Sequence, residues 1–137
     1  MIKVKKIEHV GVAVRDCSKA ATVYGLLGLG VHCTEDIPDR ALKVAMLPVG
    51  EGEGEIELMQ PTTADSTVAK FLEKRGEGIH HLALSVEDID DAVKQLLESG
   101  VRMIDNAPKP GAGGKRVAFV HPQSACGVLV ELVEELQ

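Results

Sequence analysis

The chain is poor in aromatic residues, with one tyrosine, two phenylalanines and no tryptophan in 137 positions. It cannot offer the row of flat rings on which single-stranded nucleic acid stacks. Positive charge is also short: 15 Lys and Arg stand against 21 Asp and Glu, for a net charge of −6. That balance argues against a general polyanion binder and leaves room for a single local anion site. Cysteine is sparse. Cys17, Cys33 and Cys126 form no CxxC pair, so neither a disulfide framework nor a thiolate zinc site is indicated. No apolar run approaches the roughly 20 residues of a membrane span, and the opening MIKVKKIEHV lacks the apolar core of a signal peptide. These absences predict a cytoplasmic protein with reduced thiols and no membrane or nucleic-acid partner. The apolar share, 45%, is normal for a globular protein. The length fits one domain over residues 1–137, or two small halves sharing a core.

The sequence is written twice. In IEHVGVAVRDCSKA (7–20) and IHHLALSVEDIDDA (79–92), Ile7, His9, Val14, Asp16 and Ala20 match Ile79, His81, Val86, Asp88 and Ala92, all at an offset of 72. Gly28 and Gly100 extend the match. VAML (44–47) then resembles VAFV (117–120) at offset 73, and IEL (56–58) resembles VEL (130–132) at offset 74. Conserved order over some 50 residues points to internal duplication. Each copy reads as strand, helix and three strands, an α+β fold of two βαβββ modules. Module one covers about 6–60 and module two about 78–133, with a linking helix at about 65–75. Strands are predicted at about 6–14, 30–35, 42–49, 54–60, 78–86, 101–104, 115–121 and 127–133. Helices are predicted at about 17–28 and 89–99. Asp16 and Asp88 are expected as N-caps, with Gly28 and Gly100 near the C-terminal ends. KPGAGGK (109–115) reads as loop.

Alternation sorts the two adjacent histidines of GEGIHHLALSV (76–86). Neighbours on a strand point to opposite faces. His80, Leu82, Leu84 and Val86 share one face, and His81, Ala83 and Ser85 the other. In the first copy, Val10, Val12 and Val14 oppose His9, Gly11 and Ala13. The large apolar face must pack against helices, so His81 is the counterpart of His9, and His80 is read as structural or as a support behind a ligand. The last strand of each copy places one glutamate, Glu57 or Glu131, away from its apolar face. Burying a lone carboxylate is costly, and a cation between the copies would offset that cost. Each histidine alone reads as an ordinary satisfied or exposed side chain, and each glutamate as a solvated one. The symmetric set His9, Glu57, His81 and Glu131 suits a divalent metal such as Zn, Co, Ni or Mn.

These motifs resemble the vicinal oxygen chelate superfamily and, within it, the methylmalonyl-CoA epimerase family. The shared stretches are IEHVGVAV, LPVG, STVAKFLEKRGEGIHHLAL, PKPGAGGKRVAFVHP and GVLVELVE, which together span nearly the whole chain. The resemblance implies two βαβββ modules packed around a metal-lined cleft, ligated at positions matching His9, Glu57, His81 and Glu131. It implies an isomerase that interconverts the C2 epimers of methylmalonyl-CoA in propionate metabolism, and a homodimer. Glu131 matches a ligand that also serves as a proposed base. The position matching Glu57 is Gln in some members. Some bacterial members carry another glutamate where this chain has Val44, so Glu57 is the expected second base. Lys43, Lys115 and Arg116 are candidates for the thioester's phosphates, set against a reading as ordinary solvated charges. Rival readings are a glyoxalase I-type lyase acting on a glutathione hemithioacetal, an extradiol-type dioxygenase, and a non-catalytic small-molecule binding protein. The loop stretches favour the epimerase over the first. The fourth ligand counts against the second, and the scarcity of aromatics against the third.

Overall fold

A computed structural model describes residues 1–52 and 54–135; positions 53, 136 and 137 of the expected domain lie outside the described residues. The chain runs β1 (Val4–Ala13), α1 (Cys17–Leu26), β2 (Cys33–Ile37), β3 (Leu42–Pro48) and β4 (Glu55–Pro61). Helix α2 (Thr67–Arg75) follows, then β5 (Gly78–Val86), α3 (Ile89–Glu98), β6 (Lys109–Pro110), β7 (Arg116–Val120) and β8 (Val130–Glu134). This is the α+β pattern that the duplication predicts, βαβββ twice. Two compact units result, one of His9–His80 and one of Met1–Glu8 with His81 onward.

In the unit His9–His80, β1 pairs in parallel with β4, and β3 pairs antiparallel with both β4 and β2. Asp16 starts α1: its carboxylate accepts the Lys19 N–H at 3.1 Å. Past the helix end, Gly28 takes φ +94°, open to glycine and strained for other residues. Val12 and Val14 pack with Cys17, Ala20 and Tyr24 of the helix and with Leu58 of β4. The other face carries Ala13, Val44 and Met59, covered by Val68 and Leu72 of α2. Val44 is thus an apolar core residue beneath a helix.

The second unit repeats these pairings. β5 is parallel to β8, and β7 is antiparallel to β8 and to β6. Asp88 caps α3 by accepting the Asp91 N–H at 3.1 Å, and Gly100 has φ +82°. Val86, Leu132 and Val120 pack with Ile89 and Val93 of α3. On the opposite face Ala83, Val117 and Val133 form a small cluster. A glycine-rich loop lies against it: a Cβ added at Gly111 would sit 2.8 Å from Val117 Cγ1. Helix α2 covers the corresponding face of the first unit.

The registers of the two copies coincide. Gly11 faces Glu57 as Ala83 faces Glu131, and Met46 faces Glu57 as Phe119 faces Glu131. Three predicted strands move, and β8 begins at Val130 rather than 127. β2 begins at Cys33 rather than 30, because its register is fixed by pairing with Met46 through Leu42. Residues 101–104 form no continuous strand, only a bridge from Met103 to Val120. The Asp105 carboxylate takes the Phe119 N–H at 2.8 Å, which a strand partner would have used. The short strand β6 pairs further along, inside the segment read as loop.

The three cysteines offer a direct check. Cys17 is buried, while Cys33 and Cys126 are exposed. Burial pushes the Cys17 thiol above its ordinary range, and Lys43 only partly offsets this. Two thiols are expected to react rapidly with a disulfide reagent in the native protein, and the third only on unfolding. Three fast thiols would contradict this packing.

Candidate metal centre

Each unit holds one imidazole against one carboxylate on its first and last strands. In the unit His9–His80, His9 Nε2 on β1 lies 3.9 Å from Glu57 Oε1 on β4. In the other, His81 Nε2 on β5 lies 3.3 Å from Glu131 Oε1 on β8. The period of two explains both pairs, because Glu57 stands between Ile56 and Leu58, which pack toward α1. Glu131 stands between Val130 and Leu132, which pack toward α3.

His9, His81 and Glu131 are buried, at 7%, 5% and 4% exposure. A carboxylate so far from water needs strong compensation. The donor set fits a divalent ion. Two atoms each about 2.1 Å from one ion lie about 3.0–3.5 Å apart when adjacent in its coordination sphere. The His81–Glu131 separation falls in that range. The His9–Glu57 separation, 3.9 Å, lies beyond that range and exceeds a hydrogen bond. Imidazole nitrogen and carboxylate oxygen together suit the borderline transition ions.

His80 lies on the other side of β5, as alternation requires. Its ring meets Phe71 of α2 edge-on at 5.0 Å between centroids, and the Arg75 guanidinium sits 5.8 Å from the Phe71 centroid. Its place is in the packing of α2.

The three candidate phosphate-binding cations are placed differently. Lys43 faces Gln60 in the β3–β4 ladder, on the α1 side rather than the side of Glu57. Arg116 faces Glu134, on the α3 side. Its guanidinium grips Asp90 of α3 with two hydrogen bonds, at 2.5 and 2.9 Å. Lys115 donates to Glu8 at 3.0 Å. Glu8 is a buried carboxylate next to His9 in sequence, and its hydrogen bond to Glu135 holds the Glu135 carboxyl above the ordinary range. Glu8 was not anticipated from the sequence, since it stands where alternation expects an α1-facing apolar residue.

Phe119, also unanticipated, meets the His81 imidazole edge-on, with centroids 6.0 Å apart. A signal existed. Phe119 lies at offset 73 from Met46, and Met46 faces Glu57.

Residues 8–119 match the family model of the Glyoxalase/Bleomycin resistance protein/Dioxygenase superfamily. The mitochondrial methylmalonyl-CoA epimerase of Dictyostelium discoideum is 40% identical over 98% of this chain and 81% of its own length. The ethylmalonyl-CoA/methylmalonyl-CoA epimerase of Cereibacter sphaeroides is 41% identical over 93% of this chain and 96% of its own. Among solved structures, a methylmalonyl-CoA epimerase in complex with methylmalonyl-CoA and ammonium superposes with a TM-score of 0.90. It is 34% identical, over 97% of this chain and 96% of that one. The chain belongs to this superfamily and, within it, to the methylmalonyl-CoA epimerase family.

The Arg116–Asp90 pair gives a pH test away from the imidazole–carboxylate pairs. Hydrogen bonds from Arg116 hold the Asp90 carboxyl below its ordinary range. Its contribution to stability is therefore complete above the usual Asp pKa and is lost as pH falls through the lowered value. Asp90→Asn is expected to lower the urea midpoint slightly at neutral pH. The difference should vanish in acid and shrink in high salt. A gap that widened in acid would contradict the assignment.

Proposed function

We propose that the protein interconverts the two C2 epimers of methylmalonyl-CoA. The observation that carries this reading is the pair of imidazole–carboxylate contacts, one per copy of the duplication, in a chain of the epimerase family. His9, Glu57, His81 and Glu131 would together hold one divalent ion, among Co, Zn, Mn and Ni. When bound, that ion supplies Lewis-acid stabilisation of the negative charge that develops on the substrate's oxygens as the C2 proton leaves.

The remaining chemistry falls to the chain's own side chains. Inverting a carbon centre needs proton transfer on both of its faces. Glu131 takes the C2 proton from one face, and Glu57, its counterpart in the other copy, returns a proton to the opposite face. Glu57 starts protonated and Glu131 ionised; a turnover leaves Glu131 protonated and Glu57 ionised, the state from which the reverse reaction starts, and proton exchange with solvent restores the first state. Val44 is packed under α2 with Leu72 and Met59, and cannot serve as a base. Lys43, Lys115 and Arg116 are the proposed partners of the CoA phosphates. Those phosphates lie a whole pantetheine arm from the reacting carbon, so their partners need not share the faces of Glu57 and Glu131. A homodimer working in the cytoplasm, at the epimerisation step of propionate metabolism, completes the proposal.

Two sets of variants test it. His9→Ala and His81→Ala should each lose bound metal and activity, while His80→Ala keeps the metal. The reverse outcome for the two adjacent histidines would overturn the strand assignment. Glu57→Gln and Glu131→Gln should each lower turnover about 10²–10⁴-fold, the usual contribution of a general base. In deuterated water each variant should still exchange the C2 proton of one epimer without inverting it, and the favoured epimer should differ between the two. Full epimerisation by Glu57→Gln would reduce Glu57 to a replaceable ligand.

A further inference from the structure

The duplication is broken at one position beside the site. Val44 of β3 faces Glu35 across the β2–β3 ladder, and its counterpart Val117 faces Lys109 across the β6–β7 ladder. The same register position carries a negative charge in one copy and a positive charge in the other. Residues directly opposite in an antiparallel pair point to the same face. Lys109 therefore shares the face of Val117 and Val133, which is also the face of Glu131 and His81. Side-chain contacts agree independently. The Lys109 ammonium lies 5.4 Å from the centroid of the Phe119 ring, and that ring meets the His81 imidazole edge-on.

The ammonium is also fixed in place. Asp105 accepts from Lys109 Nζ at 3.1 Å, while the same carboxylate holds the Phe119 N–H. Asp105, Phe119 and Lys109 thus form one bracket. One Nζ donor direction goes to Asp105, and an ammonium has three. Lys109 is half-exposed, which leaves a ligand room to reach it.

We propose that Lys109 recognises the free carboxylate of a malonyl-type acyl-CoA thioester and so selects for that substrate class at the site. The inference rests on the epimerase reading. Lys109 shares the face of His81 and Glu131, whereas Arg116, its neighbour in the β6–β7 hairpin, stands on the α3 face, so the carboxylate next to the reacting carbon is the anion matched to Lys109. A fixed cation in one copy, where the other copy has Glu35 at the same register position, also suits a substrate whose two ends, carboxylate and thioester, differ in charge.

Calorimetry with Lys109→Met tests this, using three probes. Methylmalonyl-CoA carries both carboxylate and phosphates, propionyl-CoA lacks the carboxylate, and the methylmalonyl thioester of N-acetylcysteamine lacks the phosphates. The variant should weaken binding of the first and third about tenfold or more, the size of one charge-assisted contact, and leave propionyl-CoA unchanged. Lys109→Arg should restore most of the loss, and the melting temperature should move only slightly, since a half-exposed ion pair contributes little to stability. For turnover, KM should rise with kcat nearly constant. An unchanged Kd for methylmalonyl-CoA would overturn the proposal. So would equal weakening of propionyl-CoA, or a loss confined to the full CoA ester, which would assign Lys109 to the phosphates. If the wild type bound methylmalonyl-CoA without epimerising it, the epimerase reading would fail while the binding comparison still judged Lys109. If the wild type bound none of it, both would fall.

Discussion

In each unit the facing imidazole and carboxylate come from strands that run parallel, β1 with β4 and β5 with β8. Parallel neighbours cannot be joined by a tight turn and need a long crossover. Here a helix and two more strands fill it. That crossover supplies the helix that buries one face of the parallel pair, and the burial fixes the register. A slip of one residue would turn Leu132 into the site and Glu131 against α3. Packing of Val12, Leu58 and α1 in one unit, and of Val86, Leu132 and α3 in the other, is thus what aims each imidazole–carboxylate pair.

The copies diverge where symmetry is not needed. Helix α2 covers Ala13, Val44 and Met59 in the first unit, while the glycine-rich loop lies over Val117 in the second. Gly111 is confined to its position by that contact, since any side chain there would press on Val117. Met46 in one copy becomes Phe119 in the other, and Glu35 becomes Lys109. The imidazole–carboxylate pairs stay alike while their surroundings differ.

Much of this was legible in the sequence. Both N-caps follow from Asp before a run of helix formers, because the carboxylate satisfies a donor that the helix leaves open. The choice of His81 over His80 follows from the two-residue period, and His80 is found against Phe71 on the other face of β5. What escaped were features set by tertiary pairing. Val101 to Ile104 has strand-like composition, yet Asp105 takes the ladder position with its side chain. Lys109 and Pro110 look like loop, yet β7 recruits them. Glu8 reads as a solvated charge, and its burial depends on Lys115, more than 100 residues away. No local pattern encodes such partners.

The claim that the two His–Glu pairs serve one ion can be counted directly. Metal-free protein would be titrated with cobalt(II) while the visible absorption of the bound ion is followed. Saturation at one ion per chain is expected, with a spectrum that changes in a single step. Two independent steps, one ion for each pair, would contradict the shared site, and so would the absence of any bound cobalt.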